Sequence, residues 1–200
     1  MPIVGITGSF GSGKTTVADM LRARGAKVID ADKVAQDLIA PQGRCFSKVV
    51  RFFGKEILTR GGIDRCKLAA IVFRQPSALK KLCNMTHPFV AQHIKQEVSR
   101  YRQKKTRRLL VLDVPLLFEA KLEKMCDYVV VVRANRKAQI ARLKKRNHFT
   151  QAEILRRMKA QMPIALKVAQ ADFVIHNQGS FQQTKKQVEE LCLELKKKRV

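Results

Sequence analysis

The chain has no tryptophan and only two tyrosines. Aromatic platforms on which bases stack are therefore scarce, which argues against a single-strand nucleic-acid binder. No apolar run approaches the roughly 20 residues of a spanning helix. The first residues lead straight into a strand-like run with no leader pattern, so a protein without membrane attachment is expected. The five cysteines, at 45, 66, 83, 126 and 192, are odd in number and contain no C-x-x-C pair. That excludes a structural zinc and a disulfide framework and points to a reducing cytoplasm. The four histidines have no metal-site spacing either. No Gly/Ser/Pro-rich linker or repeat divides the 200 residues, so one compact domain with inserted subdomains is expected. Acidic residues are few, 16 against 41 Lys and Arg, for a net charge of +25. Such a balance invites a nucleic-acid reading. The basic residues are spread along the chain, however, and polyanionic small-molecule ligands suit the sign equally well. Weak non-specific binding at low salt is expected and a specific nucleic-acid partner is not.

What the chain does have is concentrated near its start. Gly8-Ser9-Phe10-Gly11-Ser12-Gly13-Lys14-Thr15 fits the G-x-x-x-x-G-K-[ST] pattern, preceded by the strand-like Ile3–Thr7 and followed by an amphipathic helix carrying Val17 and Leu21. Glycines let the backbone turn with its N–H groups pointing inward, and the helix start adds its own N–H groups and positive dipole end. Gly11, Ser12, Gly13, Lys14, Thr15 and Thr16 are thus assigned to the phosphates of ATP. Lys14 supplies charge to the β- and γ-phosphates, and the Thr15 hydroxyl is placed to ligate Mg²⁺.

Strand and helix then alternate. The first helix is expected from about Gly13 to Arg24, stopping at Gly25. A second strand covers Lys27–Ile29 and ends at Asp30-Ala31-Asp32. Residues 34–104 read as mostly helical with no strong strand. Apolar runs at Leu109–Val114 and Tyr128–Val132 read as strands covered on both faces, and Phe173–Ile175 as a short fifth. The last helix begins near Ser180, whose S-x-x-Q with Gln183 is a capping box. The fold class is α/β: a five-stranded parallel sheet flanked by helices, with ligands beyond the carboxyl ends of the strands. Two segments exceed that minimum. One is the helical insertion at 34–104. The other is 136–162, two helices with a turn at about 147–150 and a capping box at Thr150 and Glu153. Six of residues 136–146 are Lys or Arg. Beside a triphosphate, such a segment reads as a lid that closes positive charge over the transferring group and excludes water. The core is then 1–33, 105–135 and 163–200.

Transfer to an alcohol benefits from a carboxylate at the acceptor hydroxyl and from cations on the spreading charge. Asp30 and Asp32 stand at the carboxyl end of the second strand. Their side chains point the same way if the strand continues, and a turn would separate them. Asp113 ends the third strand and is a candidate to hold Mg²⁺ through water. Glu119 is placed to orient substrate, to pair with a lid arginine, or to cap a helix.

At this point the chain resembles the bacterial dephospho-coenzyme A kinases, P-loop kinases that act last in coenzyme A biosynthesis. The resemblance runs through the phosphate loop, Asp30-Ala31-Asp32, Phe53-Gly54 and the GGIDR of 61–65. It continues through His87-Pro88, the PLLFE of 115–119, Gln139 with Arg142 and Arg146, Gln161, and ADFVIHNQG at 171–179. It implies ATP and dephospho-coenzyme A as substrates, with phosphorylation of the ribose 3′-hydroxyl. It makes 34–104 the domain that receives the acceptor and 136–162 the lid. Asp32 becomes the base or orienting group, and Arg142 and Arg146, one helical turn apart, the cations for transition-state charge. Asp32, His87, Pro88 and Glu119 fall to the acceptor, and Asn177 and Gly179 to the adenine. A cytoplasmic monomer or weak homo-oligomer is expected. The rival readings are a nucleoside monophosphate or other small-molecule kinase on the same scaffold, and an ATP-dependent nucleic-acid-binding protein.

Overall fold

The computed structural model describes residues 2–104, 108–147 and 149–198, with backbone alone for Arg146 and Asn147. In chain order the elements begin with β1 (Ile3–Gly8), α1 (Lys14–Arg22), β2 (Lys27–Asp30), α2 (Ala31–Leu38) and α3 (Phe46–Phe53). They continue with β3 (Leu58–Thr59), β4 (Gly62–Ile63), α4 (Arg65–Arg74), α5 (Pro76–Gln103), β5 (Leu110–Asp113) and β6 (Tyr128–Arg133). The last are α6 (Arg136–Asn147), α7 (Gln151–Lys159), α8 (Ile164–Ala169), β7 (Phe173–His176) and α9 (Phe181–Lys197). The chain divides into two compact units, Met1–Asp30 with Glu97–Val200, and Ala31–Gln96.

In the first unit, five strands among the described residues form one sheet in the order β2-β5-β1-β6-β7, every pairing parallel. The central strands explain this. β1 and β5 are buried along their whole lengths, and the Val129–Val132 run of β6 is buried too, as parallel strands with helices on both faces must be. Val4, Ile6, Val111, Val130 and Val132 meet Val17 and Leu21 of α1 and Val188, Leu191 and Leu195 of α9 in one core. The apolar residues of α1 and α9 recur at helical spacing, which aims one stripe of each helix at the sheet. The register sets Asp113 beside both Ile6 and Asp30, so two carboxylates share the carboxyl edge of the sheet. Both capping boxes form. Ser180 caps α9 with Gln183 and Thr150 caps α7 with Glu153, each cap contributing roughly 1 kcal/mol.

The second unit packs Val49, Phe53, Ile57, Leu68, Val72 and Met85 around a core of its own. Asp64 caps α4 by accepting from the N–H groups of Cys66 and Lys67. One difference from the sequence reading lies here: β3 and β4 make a small antiparallel hairpin, Leu58 against Ile63 and Thr59 against Gly62. Each strand is two residues long, too short for any alternation to register in a sequence. Pro88 stands inside α5. Its ring removes one N–H from the helix ladder and deprives the Asn84 carbonyl of its usual donor.

Candidate active site

The loop between β1 and α1 has the shape its glycines require. Gly11 and Gly13 adopt φ of 78° and 85°, a left-handed backbone that favours glycine. Space demands glycine as well. A Cβ on Gly11 would lie 2.6 Å from Leu143 Cδ1 of α6, and one on Gly13 would lie 2.0 Å from Asn177 Nδ2. The loop closes through the Ser12 N–H to the Ser9 carbonyl at 3.0 Å and the Thr16 N–H to the Gly13 carbonyl at 3.0 Å. Gly13 is the N-cap of α1 and offers no side chain to the helix. The first N–H groups of α1 have no partner within their own helix. Together with the dipole they make an anion site at Lys14 and Thr15. The Thr15 side chain is on the exposed face.

Lys14 pairs with Asp113 at the end of β5. Burial pushes the Asp113 carboxyl above the usual carboxylate range. The Lys14 ammonium opposes that rise, and the charge of Asp30 adds to it. The strand that follows Lys27 stops at Asp30, because α2 begins at Ala31. Asp30 and Asp32 are therefore not alternate residues of one strand. Asp32 lies in the first turn of α2, exposed. His87 and Pro88 lie in α5, where desolvation holds the His87 imidazole below its ordinary pKa.

The segment 136–162 is tied to the loop by side chains from both its ends. Buried Gln139 of α6 donates to the Ser9 hydroxyl, and Arg142 reaches the Ser12 carbonyl at 3.5 Å. Gln161, beyond α7, accepts from the Phe10 N–H at 2.9 Å. The Phe10 ring lies 5.9 Å from Phe149, and the Arg157 guanidinium stands 5.4 Å and 4.1 Å from those two rings, within cation–π range. The Arg146 side chain lies outside the described residues. Lys144 and Lys145 are exposed.

The structure assigns Glu119 another partner than a lid arginine. It pairs with Lys167 of α8 at 2.9 Å and accepts from the Met162 N–H at 2.8 Å. Lys167 is wholly buried and also donates to the Pro115 carbonyl at 2.8 Å. Thr7 of β1 donates to the same carbonyl at 2.9 Å. The PLLFE stretch is thus pinned from two sides, and one of its glutamate's bonds holds the chain just beyond α7. Sequence reasoning missed Lys167, because a lone lysine among 41 basic residues carries no signal of burial. The two partners should differ in their cost of removal. Glu119→Ala leaves an ammonium buried without its carboxylate, at about 3–5 kcal/mol. Lys167→Met leaves a carboxylate whose side chain is 23% exposed and reaches water. Urea denaturation of both variants is expected to show the larger loss for Glu119→Ala, and equal losses would refute this account of the pair.

Asn177, just past β7, is buried. Its Nδ2 donates to the Ser12 carbonyl at 2.9 Å and its Oδ1 accepts from Thr184 at 2.9 Å. Gly179 is exposed in the turn that leads to Ser180.

A phosphate-binding loop on the central strand of a parallel sheet, with cationic helices tied to that loop, defines a P-loop kinase. The dephospho-CoA kinase family profile matches residues 2–183. A dephospho-CoA kinase of Carboxydothermus hydrogenoformans is 42% identical over 94% of this chain and 91% of that protein. A crystal structure from Thermus thermophilus is 34% identical, with a TM-score of 0.77 and 97% of each chain covered. The dephospho-CoA kinase of Campylobacter jejuni is 25% identical, with a TM-score of 0.71 over 99% of this chain and 98% of that one. The chain belongs to the dephospho-CoA kinase family.

Proposed function

We propose that the protein transfers the γ-phosphoryl group of ATP to the ribose 3′-hydroxyl of dephospho-coenzyme A, giving coenzyme A and ADP. The observation that carries this reading is the family match across residues 2–183, which includes the loop whose helix start presents N–H groups and Lys14. In this reading the loop from Gly11 to Thr16 holds the triphosphate, and Lys14 steadies the β- and γ-phosphates. Asp32 orients the acceptor hydroxyl and takes its proton as the bond to phosphorus forms. Residues 34–104, with His87 and Pro88, receive the coenzyme A moiety. The chain just after β7, through Asn177 and Gly179, borders the adenine. Arg142 and Arg146 meet the charge that spreads over the transferring group, and 136–162 excludes water from it.

Mg²⁺ accompanies the nucleotide. The Thr15 hydroxyl and the Asp113 carboxylate are hard oxygen donors of the kind this ion takes, with Asp113 acting through water. Among the described residues no three His, Cys, Asp or Glu side chains are grouped to hold a metal. Mg²⁺ would be carried by one or two side chains and the nucleotide's own phosphates. When bound, it neutralises charge on the β- and γ-oxygens. No helix among the described residues is long and apolar enough to cross a membrane, and the five cysteines are thiols. The proposal extends to a cytoplasmic enzyme, a monomer or weak homo-oligomer, with no specific nucleic-acid partner.

The direct test is ADP release with dephospho-coenzyme A, AMP, CMP and shikimate offered separately, and with RNA or DNA as activators. Turnover confined to dephospho-coenzyme A is expected. Turnover driven by another acceptor, or by nucleic acid alone, would replace this reading.

The lid arginines have their own test in single alanine variants at 142, 144, 145 and 146, assayed near physiological salt, where exposed charges are partly screened. Arg142→Ala and Arg146→Ala are expected to lower kcat by about tenfold or more while weakening ATP binding less, since their contacts are completed in the closed reacting complex. Lysine should rescue poorly, lacking the planar fork that grips phosphate oxygens in pairs. The exposed Lys144 and Lys145 should be nearly silent. Equal, small effects at all four positions would make α6 a solvated face only.

A further inference from the structure

We infer that Asn177 and Thr184 form a buried brace that sets the phosphate loop in its anion-binding shape, so that Thr184 governs nucleotide affinity without touching the nucleotide. This rests on the reading of the loop as the triphosphate site and gives the Asn177 side chain a task of its own.

The brace is a chain of bonds with one direction. Asn177 is fixed to the sheet by its own N–H, which donates to the Arg133 carbonyl at the end of β6 at 2.8 Å. Its Nδ2 donates to the Ser12 carbonyl at 2.9 Å. A carbonyl only accepts, so the amide nitrogen must face the loop. The amide oxygen then faces Thr184, whose hydroxyl donates to it at 2.9 Å. That hydroxyl has one proton and a second available acceptor, the Ser180 carbonyl at 3.3 Å. The shorter contact to Asn177 makes it the donor that opposes a flip of the amide. Asn177 is 7% exposed and Thr184 1% exposed, so water is poorly placed to substitute for either bond.

The position of the Ser12 carbonyl makes this matter. The peptide it belongs to leads into Gly13, at φ 85°, and then into Lys14, where α1 starts. Turning that peptide would turn the N–H groups that face an anion. The same carbonyl lies 3.5 Å from Arg142 Nη1. It therefore receives one donor from the segment after β7 and another from α6. Gly13 has no room for a side chain because the Asn177 amide occupies that space. The loop and its brace are fitted to each other atom by atom.

The test compares Thr184→Val, Thr184→Ser and Asn177→Asp with wild type. It measures the Kd of a fluorescent N-methylanthraniloyl-ATP, the KM for ATP, kcat and the melting temperature. Thr184→Val removes the hydroxyl at nearly constant volume and is expected to weaken nucleotide binding about tenfold, as the loss of one buried bond does. Asn177→Asp sets an acceptor against the Ser12 carbonyl and is expected to weaken it further. Thr184→Ser keeps the hydroxyl and should restore affinity to within about twofold of wild type. Because loop N–H groups hold the triphosphate alike before and during transfer, KM should rise more than kcat falls. A side chain that only fills space would lower the melting temperature and leave Kd unchanged well below it. Thr184→Val with wild-type Kd, or Thr184→Ser no better than Thr184→Val, would overturn the brace while leaving the kinase reading intact. A wild-type protein that bound no nucleotide would overturn both.

Discussion

Lys14→Ala is expected to lower kcat at least about a hundredfold, the loss typical of removing one preorganised group that stabilises developing charge. Lys14 is the full cation at the head of α1, and its side chain is only 13% exposed, so little solvent screens it. The variant is expected to fold. Asp113 loses its ammonium partner, but a buried carboxyl already pushed upward escapes the penalty by taking a proton. That predicts a second signature. With the folded-state pKa of Asp113 raised above its unfolded value, the folded protein binds the extra proton. Relative to wild type the variant should therefore lose stability as pH rises from the ordinary carboxylate range through that raised pKa. Melting curves across pH, run beside steady-state kinetics, read both effects. A folded Lys14→Ala protein with near-normal turnover would remove the loop from the chemistry.

Asp32→Asn is expected to lower kcat by about 10²–10⁴, the range for loss of a positioned general base, while the KM for ATP stays near its wild-type value. Asparagine has nearly the shape of aspartate and cannot take up the hydroxyl proton. The position favours this role. Asp32 is exposed and sits two residues beyond the carboxyl end of β2, the edge where ligands gather in sheets of this class. Asp32 also stands in the first turn of α2, where a negative charge stabilises a helix by about 0.3–1 kcal/mol. A residue with only that second task would show a small drop in melting temperature and an unaltered kcat. Asp30→Asn is the control: it lies on the strand beside Asp113, and its effect should fall on the stability of that pair of carboxylates.

The sheet could be read from the chain because its strands are continuous apolar runs bounded by glycine, proline or aspartate, and the loop because its glycines and Lys-Thr occur at fixed spacing. The β3–β4 hairpin was not legible: two residues per strand leave no period to detect. The ends of D-A-D were ambiguous for a different reason. Strand continuation and helix start differ by one residue's ψ, and the backbone takes the helix from Ala31 onward. Pairings between distant charges were the least visible. Nothing local says that Lys14 meets Asp113, 99 positions away, that Glu119 meets Lys167, or that Asn177 faces the loop rather than solvent. Those partnerships follow from which strand ends lie side by side, and the β2-β5-β1-β6-β7 order is set by long crossovers that a sequence does not announce.

That strand order also dictates a timetable. β1 lies at the centre of the sheet, yet its neighbours arrive late, since Ile3 pairs with Leu110 and Val4 with Tyr128. On a ribosome adding about 5–20 residues per second, β1 waits roughly 5–20 s for its first partner. Throughout that interval an apolar strand with both edges open is exposed to other chains, a hazard for aggregation. The residues of the helical unit, 31–96, emerge during the same interval and can pack on their own core first. The nucleotide-binding loop therefore acquires its shape only once Asn177 and Thr184 have left the tunnel, and Asn177 follows Ser12 by 165 positions.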